Sequence, residues 1–231
     1  MNGRWMDVAS SNGGSFQAYL SLPPAGVGPG IVLVQEIFGV NEHIRGVADQ
    51  YAMDGYVVLA PDVFWREAPR VELGYDDAAM VRGRALKGNL NFDSAVQDLV
   101  DSAAALRKLP QVVGKVAALG YCMGGLLAYL LAASGRVDAG ICYYGAGIEA
   151  RLDQEARITC PMLFHFAEQD QLIPVSAVKT VSRTFASHAD AWVQTYPGVG
   201  HGFNCWARAA YNQPAAALAR GRTLEFLSIY L

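Results

Sequence analysis

Gly120-Tyr121-Cys122-Met123-Gly124 sits between an apolar run, Val116 to Leu119, and a helix-prone one, Leu126 to Leu131. The spacing predicts a strand, a tight turn and a helix, with two glycines permitting a corner that leaves the central side chain exposed. That setting is a nucleophile elbow, usually built around serine. Here the central residue is Cys122, so the chemistry predicted for this corner is that of a thiol.

Outward from this corner, short apolar strands alternate with helical segments. The continuous run Gly30 to Gln35 reads as a strand covered on both faces, and Phe16 to Leu22 as an edge strand. Further strands are predicted at Tyr56–Ala60, Val116–Leu119, Val137–Tyr143, Pro161–Phe166 and Ala191–Tyr196. Helices are predicted at His43–Met53, Asp93–Leu109, Pro174–Ser187 and Pro214–Leu227. Phe64 to about Asn91 reads as an irregular, arginine-bearing connection lying over the site. The pattern is α/β, a mostly parallel central sheet with helices on both faces. With 231 residues, 52% of them hydrophobic, the chain is read as a single domain, 1–231.

Composition excludes several classes. A net charge of −3 gives no basic footprint, so no nucleic acid partner is expected. No run is long enough for a bilayer span, and residues 1–14 lack the apolar core of a signal peptide, so the expectation is a cytoplasmic protein without a membrane partner. The four cysteines, at 122, 142, 160 and 205, lack disulfide or metal spacing. Cys142 and Cys160 read as small core residues. Neither metal nor cofactor is required, and the chain is expected to be a monomer or weak homo-oligomer.

A nucleophilic thiol needs a base, and the base needs an orienting acceptor. Asp170 follows the strand Pro161–Phe166, and His201 lies on a glycine-flanked loop after Ala191–Tyr196. All three residues therefore fall at the carboxyl ends of parallel strands. His165 and His188 read as structural. Glu36 follows an apolar strand directly, where a carboxylate must be paired or functional. It either forms a salt bridge to a nearby arginine or faces Cys122 and restrains its ionisation. Backbone N–H groups of Met123 and Ile37 are the candidate oxyanion donors.

Gln35-Glu36-Ile37-Phe38-Gly39, Ala60-Pro61-Asp62, Gly120 to Gly125, Tyr143-Tyr144-Gly145 and Gly200-His201-Gly202-Phe203 together resemble the dienelactone hydrolase (carboxymethylenebutenolidase) family, in order and along nearly the whole chain. The resemblance implies a single-domain α/β-hydrolase fold and a Cys122–Asp170–His201 triad, with a glutamate, here Glu36, beside the thiol. It implies a carboxylic ester hydrolase that opens an unsaturated lactone bearing a carboxylate, formed in the breakdown of chlorinated aromatics.

This chain departs from the family where a substrate-binding arginine is expected four residues after the histidine, for Cys205 stands there. Arg208, Arg82 and Arg84 are the candidate replacements. Phe38, Phe64, Trp65, Tyr144, Phe203 and Trp206 are candidates for an aromatic pocket wall. The competing readings are a broader carboxylesterase or thioesterase acting on uncharged esters, and a non-catalytic protein that binds small ligands on the same fold.

Overall fold

In the computed structural model, which describes residues 3–231, the apolar runs become strands of one sheet. In chain order these are β1 (Arg4–Ala9), β2 (Ser15–Ser21), β3 (Gly28–Val34), β4 (Val57–Pro61), β5 (Val112–Tyr121), β6 (Ala139–Tyr143), β7 (Met162–Ala167) and β8 (Ala191–Tyr196). Their spatial order is β1-β2-β4-β3-β5-β6-β7-β8. The pairs β1/β2 and β2/β4 are antiparallel and the rest parallel. The strands β4, β6 and β7 are buried along their whole length, which is why they read as unbroken apolar runs.

The helices are α1 (Glu42–Met53), α2 (Asp77–Asn89), α3 (Phe92–Arg107), α4 (Met123–Ala133), α5 (Val175–Thr184) and α6 (Gln213–Tyr230). The β3-to-β4 crossover runs opposite in direction to the later ones, and a common right-handedness then puts α1 and α3 on opposite faces. Contacts agree with this: α1 and α6 are joined by the Arg220–Asp54 ion pair, whereas α3 packs on α4. Strand order reverses at β3, so a crevice opens at the carboxyl ends of β3 and β5. No helix among the described residues is long and apolar enough to cross a membrane. Met1 and Asn2, part of the segment read for a signal peptide, lie outside the described residues.

Two local expectations are corrected. The edge strand is β1, not Phe16–Leu22; β2 is paired on both sides, and β1, with only Val8 buried, lacks the period-2 alternation that marks a strand. The connection from Phe64 to Asn91 is not irregular throughout, because α2 forms there, capped by Asp76, whose side chain accepts from Ala79 N at 2.8 Å. Gly83 and Gly88 obscure its period. Gly83 is required by packing, since a Cβ there would lie 2.6 Å from Ile37 O; the helix rests directly on the loop after β3. A 3₁₀ segment, Ile148–Arg157, also links β6 to β7.

Beneath the site lies a buried polar network. Thr223 Oγ1 donates to Ala219 O at 3.0 Å, so it accepts from both the Tyr143 hydroxyl (2.6 Å) and His165 Nε2–H (2.9 Å). His165 Nδ1 then accepts from the Tyr196 hydroxyl at 2.8 Å. Every bond of this chain requires a neutral imidazole in one tautomer. Burial, and secondarily the charge of Arg222, lowers the His165 pKa from 6.5 to about 3. Between these values the unfolded chain binds a proton that the folded one does not. The stability is therefore complete above pH 6.5 and falls as pH decreases toward 3, by up to about 1.4 kcal/mol per pH unit from this residue. Urea unfolding from pH 7 to 4 should show this slope, and a folded His165→Gln variant should lose that component. Equal slopes in the two proteins would refute the assignment.

Candidate active site

The corner after β5 has the backbone that the glycines foretold. Cys122 has φ 55° and ψ −118°, a left-handed-side conformation that costs a non-glycine residue about 1–3 kcal/mol. It is held by Cys122 N donating to Tyr143 O and by Gly125 N donating to Cys122 O, each at 2.9 Å. A Cβ at Gly120 would strike Gly124 O, and one at Gly124 would strike the carbonyls of Val34 and Gln35. Only glycines let the first turn of α4 cross the ends of β3 and β5 so closely. The positive end of the α4 dipole therefore meets the thiol.

Asp170 and His201 arrive on the loops after β7 and β8. His201 Nδ1 donates to Asp170 Oδ2 at 2.8 Å, while Asp170 Oδ1 accepts from Leu172 N at 2.8 Å. With Nδ1 committed, His201 Nε2 is left without a hydrogen-bond partner among the described residues, on the side of the ring toward Cys122. Burial by itself lowers the pKa of this imidazole, but hydrogen bonds to Asp170 and Cys122, and their charges, outweigh it and push the value up to about 10. That value leaves the ring protonated over the neutral range. Tyr144 is edge-on to it at 5.0 Å, and Phe203 packs on Tyr144 at 5.5 Å. Both aromatics are fully buried, so they brace the histidine from behind and do not line an open pocket.

Cys122 and His201 open onto a cleft of about 480 Å³ bordered by Ile37, Phe38 and three cations, Arg84, Lys87 and Arg208. Met80, Arg84 and Lys87 stand at i, i+4 and i+7 of α2 and form one stripe facing it. Arg82, two positions from Arg84, leaves α2 on another side and does not border the cleft. Among the described residues, the N–H groups of Ile37 and Met123 donate to no protein acceptor. They remain available beside the thiol.

Other predicted wall residues lie elsewhere. Trp206 is 41% exposed and edge-on to His43, ring centroids 4.1 Å apart, in a separate cleft of about 560 Å³. Phe64 is in the core, and Trp65 stacks on Phe16 while donating to Asp98. The ionic partner of Glu36 is Arg208, whose Nη1 is 3.6 Å from Oε1. Burial raises the pKa of this carboxyl, opposed by Arg208, then by His201 and the Cys205 thiol. Cys205 is fully buried and faces Glu36 from the position where an arginine was expected. Lys87 and Met80 escaped the sequence reading, although their spacing from Arg84 was the available signal.

Residues 16–231 match the family model described as "Dienelactone hydrolase family". The carboxymethylenebutenolidase of Pseudomonas putida is 36% identical over 225 residues, covering 96% of this chain and 95% of that protein. Carboxymethylenebutenolidase 1 of Cupriavidus pinatubonensis is 33% identical over 225 residues, covering 97% and 96%. A crystal structure from Klebsiella pneumoniae subsp. pneumoniae MGH 78578, assigned as a dienelactone hydrolase, matches with a TM-score of 0.85 at 25% identity over the whole of both chains.

Proposed function

This chain belongs to the dienelactone hydrolase family, and from that premise we propose that it opens a small unsaturated lactone through a thioester on Cys122. It is a hydrolase of ester or lactone bonds. The observation that carries the finer reading is the meeting of the strained Cys122 corner with the His201–Asp170 pair in a cleft rimmed by three cations. We treat residues 1–231 as one catalytic unit.

The Cys122 thiolate adds to the lactone carbonyl carbon, and the carbonyl electron pair moves onto oxygen. The N–H groups of Ile37 and Met123 receive that oxyanion. As the carbonyl re-forms, the ring C–O bond breaks, and the leaving oxygen takes the proton from His201 Nε2. The ring is then open and joined to Sγ as a thioester. The now neutral His201 draws a proton from water, hydroxide adds to the thioester carbonyl, and the C–S bond breaks to release the acid. Glu36 acts from behind by holding Arg208 and by its field on His201.

Mass spectrometry of protein quenched during turnover tests this sequence. The acyl group of the substrate should be found on the Cys122 peptide, with a burst of p-nitrophenol when p-nitrophenyl acetate is used. Turnover without acylated Cys122 would reject the thioester.

The cations favour a substrate that carries a carboxylate. Replacing Arg208 with Gln should raise KM for cis-dienelactone about 10–100-fold, the worth of one charge-assisted hydrogen bond. KM for an uncharged ester should change little. Arg84→Gln should act in the same direction, more weakly, because the Arg84 side chain is exposed to water. Equal losses for charged and uncharged substrates would mean that these residues do not recognise the anion.

A further inference from the structure

The side chains of Glu36, His43 and Cys205 meet behind the cleft with their donor atoms all within 4.8 Å of one another. They come from three separated places: the end of β3, the first turn of α1 and the loop after His201. Glu36 is 1% and His43 3% exposed. Both carboxylate oxygens and both ring nitrogens nevertheless lack a hydrogen-bond partner. Two buried side chains with every polar atom unpartnered, each offering one donor atom to the same cluster, are a rare arrangement, because each such atom forfeits its bonds to water. The Arg208 guanidinium, 3.6 Å from Glu36 Oε1, is the nearest opposite charge among the described residues, with His201 adding a weaker field.

We propose that Glu36, His43 and Cys205 form a binding site for a thiophilic divalent cation, with zinc the best match. One carboxylate, one imidazole and one thiol are the donor set that zinc takes in tetrahedral sites, whereas magnesium and calcium select oxygen donors. Binding forms a metal–sulfur bond as the Cys205 S–H proton leaves to solvent. The resulting charges, two negative ligands and one divalent cation, cancel without help from Arg208. That side chain, in the same position, also borders the Cys122 cleft. The route in is the second cleft, of about 560 Å³, whose wall includes His43, Glu42, Glu72 and Tyr75. Water entering by the same route completes the coordination. The site shares Glu36 with the arrangement behind Cys122, but none of its three ligands is the proposed nucleophile, base or orienting acid.

Cobalt(II) is the probe, because a sulfur-bound ion gives a charge-transfer band in the near ultraviolet. A stoichiometric amount added to the reduced, chelator-treated full-length protein should produce the band, and zinc should abolish it. Cys122→Ala should keep the band. Cys205→Ser and His43→Gln should each weaken cobalt binding at least about tenfold. Thermal melting of every variant establishes that it is folded, and either ligand variant suffices if the other does not fold. Absence of the band in the parent protein, cobalt binding as tight as the parent's in a folded ligand variant, or loss of the band in Cys122→Ala would overturn the proposal. The last result would assign the metal to the Cys122–His201 pair instead.

Discussion

Cys122→Ala is expected to lower kcat/KM for ester and lactone substrates by at least about 10⁴-fold, with little change in melting temperature. The substitution removes Sγ and nothing else from the corner. The backbone there is fixed by Gly120, Gly124 and the hydrogen bond from Cys122 N to Tyr143 O, none of which uses the side chain. Alanine meets the same left-handed cost as cysteine, so the fold is indifferent to the change. Residual hydrolysis should reflect only the Ile37 and Met123 N–H groups and substrate positioning. Serine should be a poor substitute in the same corner. A hydroxyl ionises far less readily than a thiol, and this corner faces an imidazole that carries its proton. Measuring both variants with cis-dienelactone and with p-nitrophenyl acetate decides the matter, and an alanine variant with near-parental turnover would remove Cys122 from the mechanism.

Legibility in the sequence followed the range of each interaction. Cys122, Asp170 and His201 each sit just after a strand and beside turn-forming residues, so local pattern alone places them at one edge of the sheet. The 2.8 Å contact between Asp170 and His201 is then a consequence of parallel strand order. Residue pairs that depend on side-chain direction were harder. Arg82 and Arg84 look interchangeable until α2 exists, after which a rotation of two helical positions puts one over the cleft and the other away from it. The helix itself was hidden because Gly83, which weakens its pattern, is what lets it lie on Ile37 O. Trp206 follows Cys205 directly, yet its ring is half-exposed against His43 while the thiol is buried toward Glu36. The Glu36–His43–Cys205 cluster has no spacing to find, because its members meet only through the tertiary fold.

Asp170→Asn should reduce kcat about 10³–10⁴-fold while leaving the size and packing of the side chain intact. Asp170 now accepts two hydrogen bonds, from His201 Nδ1 and Leu172 N. Asparagine has one acceptor oxygen. If Leu172 N keeps it, the amide NH₂ faces Nδ1 and stabilises the ring with its proton on Nε2. That tautomer presents a donor to Cys122 and cannot accept the thiol proton. The substitution also removes a negative charge and a hydrogen bond that hold the imidazolium at about pH 10, leaving burial, which acts in the opposite direction, less opposed. The imidazolium should therefore be lost at a lower pH than in the parent. Iodoacetamide reports this independently of turnover, because it reacts with the anionic sulfur. Alkylation of Cys122 at pH 7 should slow in the variant and recover as pH rises and the thiol ionises without help from the histidine. Asp170→Ala, which leaves Nδ1 free to bind water, should keep more activity than Asp170→Asn if tautomer control dominates, and less if steric support by the side chain does. Parental kcat together with an unchanged alkylation profile in Asp170→Asn would show that His201 is oriented by something other than Asp170.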